Sequence, residues 1–139
     1  RSVAHSTRLI VARHGERIDE CDCTFVRRSA LPDDPSLTPR GEEQASLLAS
    51  SMMAELPGLQ VVCCSPFLRC VQTAHKVALA LQLPLFLEPG LREHWTALRP
   101  PRLHSTTWLQ QRFTQIDPTY QPALLPSLSA ECGRKVRER

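Results

Sequence analysis

Arg8-Leu-Ile-Val-Ala-Arg-His-Gly-Glu-Arg17 joins an apolar run to a cluster of charged side chains. Within residues 8–13 the apolar side chains are successive and rich in β-branching, so the run is apolar on both faces. That pattern is typical of a central strand in a parallel sheet, which is covered by helices on both sides. Gly15 ends the run, and we expect the charged residues to lie in the loop that follows the strand.

A helix with clear start and stop signals comes after a charged stretch. Thr38 and Pro39 are residue types that suit an N-cap and a first helical position, and Pro57-Gly58 ends the pattern. Apolar side chains recur between them at steps of three and four residues, which gives the helix one buried stripe. The stripe consists of Ala45, Leu48, Ala49, Met52 and Leu56.

The next segments repeat this alternation of strand and helix. A second strand is predicted at 59–64, a helix begins at Ser65-Pro66 with the serine as its cap, and Pro84 ends that helix. A third short strand is predicted at 85–87. The side chains expected to be buried in the second helix are Phe67, Val71, Ala74, Ala78 and Leu81.

Strands and helices that alternate with short connections imply right-handed crossovers and a parallel sheet. We therefore predict an α/β fold, a three-layer α/β/α sandwich with a mainly parallel sheet. Residues 1–139 are predicted to form one domain, in which 18–36 is a loop or insertion. Residues 96–139 are predicted to be an irregular, helix-poor segment with one short helix at 108–116.

Charge and hydropathy argue against two classes of partner. The chain of 139 residues has a net charge of +3 and a pI near 8.7, a mild surplus that suits anionic ligands but falls short of the usual nucleic-acid footprint. We interpret the charged residues 134–139 as a solvated face rather than a nucleic-acid arm. No apolar run approaches the roughly 20 residues of a membrane span. We therefore expect neither nucleic acid nor membrane as a partner.

The six cysteines favour reduced thiols over a disulfide framework. Cys21 and Cys23 are one residue apart, and Cys63 and Cys64 are adjacent in an apolar run where a free thiol behaves as a small hydrophobe. Without a secretory context this usage indicates the cytoplasm, with the nucleus as an alternative. A zinc site is disfavoured because the chain has no C-x2-C or H-x3-H spacing.

Charged groups follow each of the predicted strands, at 13–17, at 65–69 and at Glu93. Ligands of an open α/β sheet bind at the carboxyl ends of its strands. A guanidinium matches phosphate oxygens in pairs, and arginines clustered without matching carboxylates repel one another unless an anion is bound. A neutral imidazole among them can act as a nucleophile, and Glu93 can protonate a leaving oxygen.

Three segments in this order resemble the histidine phosphatase superfamily, which includes the phosphoglycerate mutases. Val11-Ala-Arg-His-Gly-Glu-Arg17 is similar to its signature, and Leu37-Thr-Pro-Arg-Gly-Glu-Glu-Gln-Ala45 is similar to its Leu-Thr-x-x-Gly-x-x-Gln-Ala segment. Ser65-Pro-Phe-Leu-Arg-Cys-Val-Gln-Thr-Ala74 resembles the segment that delivers a further phosphate-binding arginine. The resemblance covers residues 8–95 and implies a phosphoglycerate mutase-like fold.

A narrower resemblance points to the phosphatase domain of the TULA/STS proteins, a subgroup that includes protein tyrosine phosphatases. It rests on four segments, at 13–17, 68–74, 88–95 and 116–123. The last two read Glu-Pro-Gly-Leu-Arg-Glu-His-Trp and Ile-Asp-Pro-Thr-Tyr-Gln-Pro-Ala.

The resemblance implies a role for each candidate site residue. His14 would be the nucleophile that forms a phosphohistidine, while Arg13, Arg17 and Arg69 bind the phosphoryl group and Glu93 is the general acid. Such phosphoryl transfer depends on positioning and charge neutralisation. The resemblance implies neither a metal ion nor a cofactor.

The chain departs from the family pattern at one catalytic position. The family has a second histidine in a Ser-His-Gly-like segment after a late strand, and this sequence has no such segment. We expect His75 to be a surface or packing residue and His5 and His104 to be solvated, while His94 is a candidate lining residue of the pocket. The resemblance therefore implies either the N-terminal part of a larger domain, truncated at its C-terminus, or a shortened variant.

Two hypotheses of function follow from the sequence. The first is a phosphoric monoester hydrolase that acts through a phosphohistidine, with a phosphorylated protein, including phosphotyrosine proteins, or a small phosphoester as substrate. The second is a catalytically impaired module that binds phosphate or a phosphoprotein and lacks the second histidine. The sequence does not decide the oligomeric state.

Overall fold

The computed structural model describes residues 8–93 and 100–123. A 3-10 turn at Pro89–Leu91 joins the last strand to the segment that follows it. In chain order the named elements are α1 (Ile18–Cys21), α2 (Phe25–Arg28), α3 (Pro39–Glu55), β1 (Val62–Cys64), α4 (Leu68–Leu81), β2 (Leu85–Leu87) and α5 (Thr106–Arg112).

The two strands are parallel neighbours that α4 connects, as the predicted crossover requires. Val62 lies opposite Leu85, and Cys64 lies opposite Leu87. Ile116 adds a single parallel bridge to Leu85, which extends the sheet beyond β2. The sheet, α4 and α5 share one core, formed by Cys64, Leu68, Val71, Ala78, Leu85, Leu87, Leu109 and Ile116.

The prediction of a central strand at 8–13 is wrong for the structure as described. Residues 8–16 have no regular secondary structure, and Leu9 and Val11 are 84% and 86% exposed. A strand is defined by hydrogen bonds to a neighbouring strand, and among the described residues none pairs with this run. The first extended contact is an isolated antiparallel bridge between Arg17 and Leu37.

Helix α3 begins as the sequence predicts. The Thr38 hydroxyl accepts a hydrogen bond from the Gly41 backbone N–H at 3.0 Å, and Pro39 occupies the first turn. Ala45 and Ala49 of the predicted stripe are buried, which allows α3 to pack closely against α4. Leu48, Met52 and Leu56 are half-buried.

Helix α4 begins two residues later than predicted and has a different cap. Its first residue is Leu68, and the Ser65 hydroxyl is buried without a hydrogen-bond partner. The Leu68 backbone N–H instead donates to Asp34, 34 positions earlier, at 2.7 Å. The Asp34 carboxylate therefore caps α4, a role that the sequence predicted for the Ser65 hydroxyl. Of the predicted stripe, the buried members are Phe67, Val71 and Ala78, and Ala74 and Leu81 are half-buried.

The prediction that His104 is solvated is wrong, because His104 is hydrogen-bonded to Asp34. The second Asp34 oxygen accepts hydrogen bonds from the His104 backbone N–H at 3.0 Å and from its Nδ1 at 2.8 Å. The His104 ring stacks on Trp108 with 3.9 Å between ring centroids. Asp34 therefore ties the 29–36 loop to the start of α4 and to the 100–105 segment.

The remaining predicted segments are partly described. Helix α5 runs over Thr106–Arg112 rather than over 108–116, because the Ser105 hydroxyl caps it through the Trp108 backbone N–H. Within the predicted 18–36 loop, α1 and α2 each form a single turn. Residues His5, His94 and 134–139 lie outside the described residues.

Five cysteines fall within the described residues, and all five are free thiols. Burial raises the pKa of the Cys64 thiol well above its usual value and also raises the pKa of Cys70. None of the helices in the described part of the chain is long and apolar enough to cross a bilayer.

A buried carboxylate also lies at the carboxyl end of β2. Glu88 accepts hydrogen bonds from the Tyr120 hydroxyl at 2.8 Å and from the Ala123 backbone N–H at 2.7 Å. The Tyr120 ring stacks on Phe86 with 4.4 Å between centroids. These contacts hold the 117–123 segment beside the sheet.

Replacing Asp34 by Asn should destabilise the chain. A neutral amide cannot accept from all three donors, so at least one buried N–H loses its partner, at a cost of about 1–3 kcal/mol. Urea denaturation should measure this loss. Glu43→Gln, on the exposed face of α3, is the control and should change the free energy of unfolding by less than about 0.5 kcal/mol. Equal stabilities of the two variants would contradict the role of Asp34.

Tyr120 is the single tyrosine of the chain, so phenolate absorbance reports on it alone. The hydrogen bond to Glu88, together with burial, raises the pKa of Tyr120 above its ordinary value of about 10. The stability from this contact is therefore present below pH 10 and is lost as pH rises through the raised pKa. Glu88→Gln should move the absorbance midpoint down toward 10. An unchanged midpoint would show that Glu88 does not raise the pKa of Tyr120.

Candidate phosphate-binding site

The Arg-His-Gly-Glu-Arg segment is held by hydrogen bonds from both of the other motifs. The Glu16 backbone N–H donates to Gln44 of α3 at 2.8 Å, and the Glu16 carbonyl accepts from the Thr38 backbone N–H at 3.0 Å. On the other side, the Gly15 backbone N–H donates to the Thr73 hydroxyl of α4 at 3.2 Å. Three segments separated in sequence therefore meet at one place.

Two glycines allow this close contact. A Cβ atom on Gly15 would lie 2.4 Å from the Gly41 carbonyl oxygen, and one on Gly41 would lie 2.3 Å from the Glu16 carbonyl oxygen. Both opposing atoms belong to the backbone, so no side-chain rotation relieves the overlap. The glycines at these positions are required by the contact between the His14 loop and the first turn of α3.

His14 is half-buried at the edge of a cavity of about 320 Å³. Its Nδ1 lies 2.8 Å from the Gly15 carbonyl oxygen. Because a carbonyl oxygen only accepts, the neutral ring carries its proton on Nδ1 and keeps the lone pair on Nε2. The cavity is lined by Arg13, His14, Gly15, Gln44, Ala45, Leu48 and Thr73.

The expectation that the arginines stand without matching carboxylates is wrong. Arg17 donates through Nε and Nη2 to the two oxygens of Asp19 at 3.0 and 2.9 Å, and its Nε lies 3.4 Å from Glu20. Arg13, whose side chain is 81% exposed, lies 3.8 Å from the same Glu20 oxygen. Asp19 and Glu20 follow within three positions of Arg17, so the sequence alone contains both possible partners.

Arg69 is the deeply buried arginine of the candidate set. Its side chain is 4% exposed, its guanidinium lies 4.2 Å from the centroid of the Phe67 ring, and its Nη2 donates to Glu93 at 2.9 Å. The Nε atom is buried and has no hydrogen-bond partner. A buried guanidinium N–H without an acceptor is costly, and an oxyanion would supply the acceptor.

The candidates are joined indirectly rather than through one direct contact. Among the described residues no hydrogen bond runs from His14 to Arg17, Arg69 or Glu93. The connection passes instead through Thr73, whose hydroxyl accepts from Gly15 and donates to the Arg69 carbonyl at 2.9 Å. The described residues contain no group of three or more His, Cys, Asp or Glu side chains that could hold a metal ion.

Sequence reasoning did not assign roles to Gln44, Thr73 and Asp34. Gln44 and Thr73 lie inside the quoted motifs, so the resemblance contained the signal for them. Asp34 has no local signal, because its partners are 34 and 70 positions away. His75 is a packing residue as expected, with its ring edge-on to Phe113, and burial lowers its pKa.

The chain belongs to the histidine phosphatase superfamily (branch 1), whose family model matches residues 9–139. This match confirms the resemblance drawn from the three motifs, and it supports phosphoester hydrolysis as the general class of reaction.

The relatives include ubiquitin-associated and SH3 domain-containing proteins, which are the TULA/STS proteins of the narrower resemblance. The mouse B protein is 33% identical over 63% of this chain and 18% of its own length. The human A protein is 29% identical over 94% of this chain and 25% of its own length. An ecdysteroid-phosphate phosphatase of Drosophila melanogaster is 28% identical over 87% and 20%. The chain thus spans about a fifth to a quarter of these proteins.

A solved structure confirms the fold class. The ecdysone phosphate phosphatase of Bombix mori, in complex with tungstate, superposes with a TM-score of 0.71 and 26% sequence identity. The match covers 90% of this chain and 60% of that one. The phosphoglycerate mutase-like α/β architecture predicted from the sequence therefore holds.

Gly41→Ala tests whether the close backbone contact positions the His14 loop. Alanine is the better helix former by about 1 kcal/mol, so helix propensity alone predicts a more stable protein. The overlap with the Glu16 carbonyl predicts the opposite, a loss of about 1–3 kcal/mol. Urea denaturation, with Glu43→Ala on the exposed face of α3 as control, decides between them. A stabilised Gly41→Ala variant would show that the loop is not held there.

Proposed function

We propose that this chain binds the phosphoryl group of a phosphoester and hydrolyses it through His14. The observation that carries the proposal is the junction of the three motifs, where the His14 loop is hydrogen-bonded to α3 and α4 beside a cavity. The half-buried imidazole, whose Nδ1 is bound to a carbonyl, has Nε2 available for attack.

The reaction would proceed in two displacements. Nε2 of His14 attacks phosphorus, an N–P bond forms, and the P–O ester bond breaks as Glu93 gives its proton to the leaving oxygen. Water then attacks the phosphohistidine, the N–P bond breaks, and inorganic phosphate leaves. The proton released by water returns to the Glu93 carboxylate. When phosphate leaves, Glu93 would give this proton to solvent and pair again with Arg69.

The arginines would neutralise charge on the phosphoryl oxygens. Arg69 is the best supported of them, because it is buried and its Nε has no partner. In the unliganded chain Glu93 accepts from Arg69. A phosphoryl oxygen that takes over this guanidinium would release the exposed Glu93 carboxylate, which would take up a proton from solvent before it acts as the acid. Arg13 and Arg17 would bind the remaining oxygens.

The substrate that we propose is a phosphorylated protein, including phosphotyrosine, or a small phosphoester. The name of one relative, an ecdysteroid-phosphate phosphatase, supports a small phosphoester. The resemblance to the TULA/STS proteins, a subgroup that includes protein tyrosine phosphatases, supports a phosphotyrosine protein. The solved relative is in complex with tungstate, an oxyanion. A cytoplasmic setting is proposed on the cysteine usage.

A binding module without turnover is the second candidate. Of the histidines that the structure describes, only His14 lines the cavity, while His75 packs on Phe113 and His104 is bound to Asp34. The second histidine of the family pattern is thus missing from the described site. Phosphate binding without hydrolysis would favour this candidate.

The test uses the full chain with p-nitrophenyl phosphate as a phosphotyrosine mimic. His14→Ala should lower kcat by at least about a thousandfold, because the nucleophile is lost. Arg69→Lys should lower kcat/KM by about ten- to a hundredfold, since an ammonium cannot replace the planar fork. Arg27→Lys, an exposed arginine of α2, is the matched control and should stay within about twofold of the parent.

Three results would contradict the proposal. Activity that survives His14→Ala would remove the nucleophile assignment, and equal effects of Arg69→Lys and Arg27→Lys would remove Arg69 from the site. A parent chain that shows a thermal shift with vanadate but no turnover would establish the binding module instead. Circular dichroism of each variant checks that it is folded.

A further inference from the structure

The guanidinium of Arg17 is already occupied by carboxylate oxygens. Asp19 binds it with both oxygens, one on Nε at 3.0 Å and one on Nη2 at 2.9 Å. This two-point geometry is the one in which a guanidinium binds two oxygens of a phosphate. Glu20 contributes further contacts of 3.4 Å to Arg17 and 3.8 Å to Arg13.

These ion pairs neutralise the positive charge that a phosphate would otherwise meet. The two arginines are matched by two carboxylates, so the segment 13–20 has no surplus from these four side chains. The Arg17 and Asp19 side chains are only 25% and 18% exposed, so solvent and salt screen their attraction incompletely. A phosphate that binds Arg17 through its Nε–Nη2 edge must first displace Asp19.

The displacement requires only a local change. Asp19 and Glu20 lie in the first turn of α1, two and three residues after Arg17. Among the described residues, the further contacts of Glu20 are its 3.8 Å approach to Arg13 and a 3.5 Å hydrogen bond from the Arg17 backbone N–H. Rotation of these side chains is sufficient to free the guanidinium. Asp22, one turn further along, is directed elsewhere and binds Thr24 and Arg28.

We propose that Asp19 and Glu20 act as an internal anion that competes with the substrate phosphate and selects phosphoesters of low total charge. The inference rests on the proposed function and concerns the specificity of that site. A single phosphoryl group can exchange with the carboxylates one for one. A substrate with further negative groups near phosphorus, such as a condensed phosphate, meets the displaced carboxylates and is disfavoured.

The experiment measures binding rather than turnover. Isothermal titration calorimetry of the full chain with inorganic phosphate and with pyrophosphate compares the parent with Asp19→Asn, Glu20→Gln and the double variant. The double variant should bind phosphate about three- to tenfold more tightly, and its gain for pyrophosphate should be larger. Asp22→Asn is the matched control and should bind within about twofold of the parent.

Weaker binding by Asp19→Asn and Glu20→Gln would overturn the inference, because the carboxylates would then position Arg17 rather than compete for it. Unchanged affinity, or an equal gain for both anions, would also overturn it. Arg17→Ala separates this failure from failure of the proposed function. If Arg17→Ala binds phosphate as the parent does, Arg17 is not part of the site. Thermal unfolding shows that each variant is folded.

Discussion

The hydroxyl of Thr73 is the group on which the geometry of the site depends. It accepts a hydrogen bond from the Gly15 backbone and donates one to the Arg69 carbonyl, so it joins the His14 loop to the helix that holds the buried arginine. The close backbone contact between Gly15 and Gly41 fixes the same loop against α3. The packing of α3 and α4 and the position of the His14 loop therefore depend on the same contacts, which also shape the cavity beside His14.

A second property of the site is that its arginines are paired with carboxylates. The arginines that the family resemblance assigns to phosphate are each near a carboxylate of this chain, at Asp19 and Glu20 on one side and Glu93 on the other. In the proposed mechanism, binding of an oxyanion would be an exchange of one anion for another rather than a simple neutralisation. Affinity would then depend on how readily these carboxylates leave, and the same exchange would free Glu93 for proton transfer.

The parts of the fold that rest on local signals could be predicted, and those that rest on distant contacts could not. Thr38 caps α3 through a residue three positions away, and the sequence showed both. Asp34 caps α4 across 34 residues and binds His104 across 70, so neither pairing leaves a local pattern. Residues 8–13 carry a strand pattern, yet a strand also needs a neighbour, which apolar sequence does not supply.

The same distinction holds for the site. The motifs identified His14, Arg69 and Glu93 as candidates, but the carboxylate partner of Arg17 was missed although Asp19 is only two residues away in sequence. Residue types alone do not tell whether an arginine is paired with its neighbour or directed toward a ligand.

A crystal structure of the full chain with tungstate tests the central claim most directly. We expect the oxyanion within hydrogen-bond distance of Arg17, Arg69 and Nε2 of His14, with the Asp19 and Glu93 carboxylates moved off their guanidiniums. Tungstate bound away from His14, while the Arg17–Asp19 and Arg69–Glu93 pairs stay intact, would contradict the account.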